Sequence, residues 1–338
     1  MKKHYDVYGI GAALVDTEIH VTDADLSAWG IEKGMMLLLD EARRKKLLDF
    51  LTDHLGCSKR TSGGSTANAI TAIAQFGGKT FYTCKVGDDD NGRFYLNDLS
   101  TAGVDYQTDN RYKDGITGTC LVMITPDAER TLNSFLGINA TLSKHDIVQE
   151  AIINSDYVYL EAYMVLSPSS RVAAIRIREI AEESKVKVAI SLSDSGVVSN
   201  FRDDLHEMLG KHIDLLFSNR IEALSWAQTD NLDIAIDSLK NFARTFVITL
   251  GAEGSLVYDG MQLHTIASYK VQAVNTTGAG DMFAGAFLFA ITHGKDFLTA
   301  GKFASFSAAA VVSDYGSRLN VTKQQQILAQ WDNVAKTF

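Results

Sequence analysis

Short apolar runs recur along the chain, separated by stretches whose apolar positions repeat every three or four residues. Val7-Tyr8-Gly9-Ile10-Gly11 begins as a buried strand, and residues 40–55 read as a helix with Leu47, Leu48 and Leu51 on one face. Ala67 to Phe76 is a small-residue helix closed by Gly77-Gly78, followed by a strand over Thr80-Phe81-Tyr82-Thr83-Cys84. Farther on, apolar strands at 157–160, 187–190 and 246–250 alternate with helical patterns near 170–184 and 232–244. Strands of this kind between helices predict an α/β protein with a mostly parallel sheet covered on both faces, a three-layer α/β/α arrangement. Two segments break the rhythm. Residues 15–38 and 115–135 carry alternating or threonine-rich stretches, Glu18-Ile19-His20-Val21 and Thr119-Cys120-Leu121-Val122-Met123-Ile124, with no helix expected between strands. They predict antiparallel strands in a small accessory sheet, either a lid over a substrate pocket or an extension of the main sheet's edge.

Composition narrows the class. At 338 residues the chain could hold two average domains or one large α/β domain with an insertion; two prolines and no low-complexity linker favour a single domain over 1–338. Hydrophobic residues make up 46%, enough for a large core, and the net charge of −9 argues against nucleic acid or an anionic membrane as partner. The basic run Arg43-Arg44-Lys45-Lys46 falls in a helical pattern and reads as a solvated face. Cys57, Cys84 and Cys120 lack metal-ligand spacing and suit reduced thiols. Asp6 and Asp16 interrupt any signal-peptide core, and no apolar stretch reaches the roughly 18 residues of a membrane span. The expectation is a soluble cytoplasmic protein.

Several glycine-rich elements invite chemistry. Gly9-Ile10-Gly11 opens like a dinucleotide fingerprint, but Leu14 occupies the third glycine's place; Gly78-Lys79-Thr80 mimics the end of a P-loop, but between a helix and a strand, the reverse of the required order. Ser62-Gly63-Gly64-Ser65-Thr66-Ala67-Asn68 is more informative: two glycines let backbone approach a ligand, Asn68 can donate to and accept from a hydroxyl, and Ser65 could equally be an N-cap. Asp16, after the first strand, stands where α/β sheets place ligand groups and could accept from two vicinal hydroxyls. Asn219 and Glu222, at i and i+3, either organise a hydrated Mg²⁺ or form a capping box. Thr249-Leu250-Gly251-Ala252-Glu253-Gly254 follows a strand and reads as a nucleotide-side loop or a hairpin turn. The histidines form no metal-ligand cluster.

The most telling element is Asn275-Thr276-Thr277-Gly278-Ala279-Gly280-Asp281, followed at once by the apolar run Met282 to Ala290. A small-residue loop opening a buried helix aims unpaired N–H groups at one point, a site for an anion. A permanently bound phosphate would be repelled by Asp281. The carboxylate makes sense if the phosphate is passed to a hydroxyl that it orients and deprotonates. The alternative is a glycine-rich turn with Asp281 as an ordinary first-turn acid.

Taken in order, Asp16, Gly63-Gly64-Ser65, Asn68, Asn219-x-x-Glu222, Thr249-x-Gly251-x-x-Gly254 and Gly278-Ala279-Gly280-Asp281 resemble the ribokinase-like (PfkB) carbohydrate and nucleoside kinases, from about residue 5 to 318. Gly64-Ser65-Thr66-Ala67-Asn68 and Phe217 to Ala223 are closer to the adenosine-kinase branch. The resemblance implies a large α/β domain with a small β-sheet lid. It implies Asp281 as base, with Gly278, Ala279 and Gly280 as anion hole. Asp16, Gly64 and Asn68, flanked by Gly63 and Ser65, would hold sugar hydroxyls. Asn219 and Glu222 would organise Mg²⁺ and phosphates, and Thr249, Gly251 and Gly254 would line the ATP site. Asn275 replaces the Asp that often begins the last motif, which weakens the case for K⁺ activation. Phe135 is the one aromatic candidate for stacking on a base. The resemblance thus implies an ATP-dependent kinase acting on a nucleoside's primary hydroxyl, foremost the 5′-OH of adenosine. A furanose sugar kinase, or a silent nucleoside- or sugar-binding regulator, stands as the alternative. The lid strands could close a monomer's pocket or pair across a homodimer.

Overall fold

A computed structural model describes residues 4–51, 59–107, 111–127, 129–314 and 316–334; Cys57 and the end of the helix expected over 40–55 lie outside them. The large sheet has eight strands. Leu263–Ile266, Ser255–Tyr258, Ala243–Thr249, Ile213–Asn219, Lys187–Ser191, Ser155–Glu161, Tyr5–Ile10 and Thr80–Thr83 follow one another across it. Pairings from Ala243–Thr249 to Thr80–Thr83 are parallel, and the two at the other edge are antiparallel. The alternation of side chains along each strand divides the core in two. Val7, Tyr157, Tyr159, Leu215, Phe217 and Val247 pack on one face under helices Ser65–Gln75, Ala279–Thr292 and Phe297–Val312. Tyr8, Val158, Leu160, Leu216, Phe246 and Ile248 pack on the other under helices such as Pro168–Ser184 and Leu232–Phe242. Both faces are covered, as the unbroken apolar strands require.

One packing detail sets up the site. Helix Ala279–Thr292 lies against helix Ser65–Gln75, and Gly285 meets Ala69 and Ala72 where they touch. A Cβ on Gly285 would stand 2.6 Å from the carbonyl oxygen of Ala69 and 2.9 Å from the Ala72 methyl group. Only glycine lets these two backbones come so close. Their first turns are thereby brought side by side, so side chains from one reach the other.

The smaller sheet has five strands, in the order Met36–Leu38, Arg130–Phe135, Gly118–Ile124, Leu14–His20 and Lys59–Gly63. It departs from the expected antiparallel strands in three ways. Two of its pairings are parallel, Leu14–His20 with Gly118–Ile124 and Met36–Leu38 with Arg130–Phe135. Lys59–Gly63 supplies an unforeseen fifth strand, antiparallel to Leu14–His20. A short helix, Asp23–Ala28, lies between two of the strands. That helix is fixed by a capping box: the Thr22 hydroxyl accepts from the Asp25 N–H at 3.2 Å while Asp25 accepts from the Thr22 N–H at 2.8 Å. One face of the small sheet, with Ile19, Leu121 and Met123, packs with Leu47 and Leu51 into a third apolar cluster. The other face is turned toward the carboxyl ends of the large sheet's strands.

Candidate active site

Between the sheets lies a cavity of about 380 Å³. It has three regions. The small sheet, with Leu136 just beyond its strand Arg130–Phe135, contributes an apolar wall of Met36, Leu38, Val122, Leu132 and Leu136. The polar centre holds Asp16, Gly64, Ser65, Asn68, Gly278, Gly280 and Asp281. Beyond it, Ser191, Ser193, Asn219, Glu222 and Thr249 line the ends of three parallel strands.

The centre follows from the two helix starts. Gly278 caps helix Ala279–Thr292 with φ 77°, and a Cβ there would lie 2.2 Å from the Ser317 carbonyl oxygen. The cap residue therefore has to be glycine on both counts. Among the described residues no side chain caps this helix; its Ala279 N–H makes one long bond, 3.3 Å, to the Thr276 carbonyl, and the helix start is otherwise left for a ligand. Asp281, in the first turn, accepts from the Ser65 hydroxyl at 2.6 Å and from the Asn68 amide at 2.8 Å. Ser65 is not the N-cap of its own helix. Gly64 takes that place at φ 95°, where a Cβ would meet the Ala12 carbonyl oxygen at 2.4 Å, and Ser65 is left free to reach Asp281. Withdrawal from water raises the Asp281 pKa, while bonds from Ser65 and Asn68 and the charge of Arg318 pull it down.

Asp16 lies in a strand of the small sheet, between Thr61 and Cys120. Gly63 makes room for it: a Cβ at Gly63 would fall 2.2 Å from Asp16 Oδ2. Desolvation pushes the Asp16 pKa up to about 7 against the pull of Arg318, with Glu18 and Asp281 adding to the rise. Asn275 is buried and uncharged; its Oδ1 accepts from the Thr277 N–H at 2.8 Å and so shapes the loop. Arg130, from the small sheet, donates to the Thr277 hydroxyl and ties the sheet to that loop.

Asn219 and Glu222 do form the capping box. Asn219 Oδ1 accepts from the Glu222 N–H at 2.8 Å, and Glu222 accepts from the Asn219 N–H at 2.9 Å and its side-chain amide at 2.7 Å. Both also line the cavity, so the two sequence readings coexist. Burial raises Glu222 to about 7, with Asp194 and Asp281 reinforcing the rise and the Asn219 N–H opposing it. Thr249 lines the cavity, whereas Gly251 and Gly254 do not; they form the turn of an antiparallel hairpin at φ 60° and 98°. A Cβ at Gly254 would stand 2.0 Å from the Ile266 carbonyl oxygen, which accounts for that glycine without a ligand.

Phe135 is on the wrong side of its strand. Leu132, Ser134 and Leu136 face the cavity; Phe135 turns toward the third apolar cluster, with the Arg44 guanidinium 5.0 Å over its ring. Two residues of the site went unrecognised in the sequence. Glu161, at the end of a central strand, accepts from the Thr66 N–H at 2.7 Å and its hydroxyl at 2.8 Å, and lines the cavity. The signal was its place at a strand's carboxyl end. Arg318, which donates to Asn68 Oδ1 at 2.6 Å, sits in no motif.

Asp16, Glu161, Glu222 and Asp281 line the cavity, and among the described residues no Lys, Arg or His side chain does. A bare polyanion would be repelled by such a site. A phosphate there must rely on backbone N–H groups and an accompanying cation. No group of three His, Cys, Asp or Glu side chains among the described residues is arranged to hold a metal directly. The donors suit a hydrated Mg²⁺, which keeps several waters and needs few protein oxygens. No helix among the described residues is long and apolar enough to cross a membrane.

Fold and site together are those of a small-molecule kinase. A sequence profile for the pfkB family carbohydrate kinases matches residues 45–324, and the chain belongs to that family. As such it is a phosphotransferase acting on hydroxyl groups of sugars or nucleosides, with ATP use and commonly a divalent metal implied. It is similar to a ribokinase of Staphylococcus aureus (strain COL), 27% identical over 80% of this chain and 88% of that one. An adenosine kinase from Sinorhizobium meliloti is 31% identical in sequence, with a TM-score of 0.89 over 95% of this chain and 99% of that one. A probable sugar kinase from Rhizobium etli CFN 42 is 29% identical, with a TM-score of 0.88 over 96% and 99%.

Proposed function

We propose that this chain transfers the γ-phosphate of ATP to the primary hydroxyl of a nucleoside, the 5′-OH of adenosine. The observation that carries this reading is the pair of zones on one cavity: an apolar wall of Met36, Leu38, Val122, Leu132 and Leu136 beside the polar group of Asp16, Asn68 and Asp281. A free sugar has hydroxyls all round and leaves such a wall unused. A nucleoside offers an apolar, planar base on one side and a ribose on the other. The likeness to the Sinorhizobium meliloti adenosine kinase supports the same substrate.

In this reading Asp16 accepts from the ribose hydroxyls with Gly64 backbone and Asn68 beside it, and the small sheet acts as a lid. The 5′-OH points at Asp281, which is held by Ser65 and Asn68 and accepts the proton late, as the bond to phosphorus forms. Desolvation makes Asp281 a better base than a carboxylate in water, while the two bonds keep it aimed. The N–H groups at Gly278, Ala279 and Gly280 receive the charge of the transferred group. Asn219 and Glu222 would hold the waters of Mg²⁺, whose charge offsets both the phosphates and the carboxylates of the cavity. Thr249 lies at the nucleotide end, near the turn that carries Gly251 and Gly254. Asn275 brings no charge to the loop, so turnover is expected to proceed without K⁺.

ADP release under Mg-ATP, measured against adenosine, other nucleosides, ribose and fructose with and without K⁺, tests the proposal. Adenosine is expected to give the highest kcat/KM by at least about tenfold, the worth of a well-matched apolar contact. A furanose sugar outperforming every nucleoside would reject the nucleoside reading. Ligand binding without ADP release would point instead to a silent binding protein.

A further inference from the structure

Arg318 stands on the segment between helices Phe297–Val312 and Val321–Val334. Its side chain is only 13% exposed. Its guanidinium reaches three elements at once: Nε donates to Asn68 Oδ1 at 2.6 Å, one terminal nitrogen to Asp98 Oδ2 at 2.8 Å, and the other to the Gly63 carbonyl at 3.4 Å. A carboxamide has one accepting end and one donating end. With Arg318 on its oxygen, the Asn68 amide can present only its NH₂ to Asp281, and it does so at 2.8 Å. Turned over, it would set oxygen against the carboxylate and N–H against the guanidinium, both repulsive.

From this geometry we infer that Arg318 is a positioning residue for phosphoryl transfer: it holds the Asn68 amide in the one orientation that donates to Asp281. The inference rests on the reading of Asp281 as the base. The same guanidinium also opposes the surrounding negative charge. The charge of Asp281 is felt by Asp16 on the small sheet, by Glu161 at the end of strand Ser155–Glu161 and by Glu222 in helix Arg220–Ala227. The phenols of Tyr159 and Tyr163 feel it too. Arg318 pulls both Asp16 and Asp281 toward their ionised forms. It does this without entering the cavity, of which it is not a lining residue.

Two substitutions separate orientation from charge. Arg318→Met removes both. The acid limb of kcat/KM should then move up by about one pH unit, the low end for a carboxylate that loses a neighbouring guanidinium. Activity should fall about tenfold on the acid side, recover toward higher pH, and leave the KM for ATP unchanged. Arg318→Lys keeps the charge but has one ammonium for three separated acceptors; its kcat should fall, and its acid limb should rise by less than that of Arg318→Met, because the Asn68 bond that lowers the Asp281 pKa is lost while the charge stays. The experiment is steady-state kinetics of both variants and the unaltered protein from pH 5.5 to 9, with thermal melts by circular dichroism as a check on folding. An acid limb unmoved in Arg318→Met, or one loss factor at every pH, overturns the inference and leaves Arg318 a purely structural strut. Should Arg318→Met fail to fold, Arg318→Lys decides alone: reduced kcat with a raised acid limb supports the inference, and full kcat or an unmoved limb overturns it. An unaltered protein that phosphorylates no acceptor contradicts the function proposed above, and this inference with it. An active one whose variants behave as unaltered contradicts this inference only.

Discussion

Asp281→Asn separates the catalytic from the structural role of the carboxylate. The amide nearly matches the carboxylate in shape and keeps one oxygen as an acceptor for the Ser65 hydroxyl, now 2.6 Å from Oδ1, or for the Asn68 amide, now 2.8 Å from Oδ2. What it loses is the capacity to take the acceptor's proton. A positioned general base contributes roughly 10²- to 10⁴-fold, about 3–5 kcal/mol of barrier. The expected result is a fall in kcat of that size, with the KM for the acceptor changed by less than about tenfold, since Asp16 is untouched. Folding should respond the other way. Desolvation raises the pKa of Asp281, so its charge costs stability at neutral pH, and a neutral amide removes that cost. Kinetics by coupled ADP release and a thermal melt on the same preparation are the assay. A variant that kept kcat within tenfold, or lost activity only in proportion to folded protein, would refute the assignment.

Gly63→Ala sets a methyl group 2.2 Å from Asp16 Oδ2, so the carboxylate must swing away; the KM for the acceptor is expected to rise at least about tenfold, and an unchanged KM would remove Asp16 from the binding site. Leu132→Asn places an unpaired polar group on the apolar wall and should lower kcat/KM for adenosine about tenfold or more while sparing a free pentose; equal losses for both would deny that the wall holds a base. Asp16 and Glu222 have folded-state pKa values raised to about 7, so the stability linked to them is fully present at pH 4 and lost as pH rises through 7. The ligand-free protein should therefore melt at lower temperature at pH 8 than at pH 6. Asp16→Asn should flatten that slope, and a Tm that climbed from pH 6 to 8 would contradict it.

What could be read in the chain beforehand were features with local causes. The alternation of apolar strands with helices produced the covered parallel sheet, and Gly278 and Gly64 marked the two helix starts, because each stands where any side chain would collide with backbone. The capping box at Asn219 and Glu222 was equally local. What escaped depended on distant partners or on parity. Arg318 reaches Asn68 across 250 positions, and nothing near it in sequence announces that bond. Phe135 and Leu136 are neighbours, yet one faces the third apolar cluster and the other the cavity; a single step in register decides which. The strand Lys59–Gly63 holds four polar residues and a glycine, so no apolar pattern reveals it.

The proposed transfer is tested most directly by ³¹P NMR of a reaction of Mg-ATP with adenosine. The account predicts a new phosphomonoester signal split by the two protons of a primary carbon, growing in step with ADP. Phosphate appearing only as the free inorganic ion, or a signal split by the single proton of a secondary carbon, would contradict it.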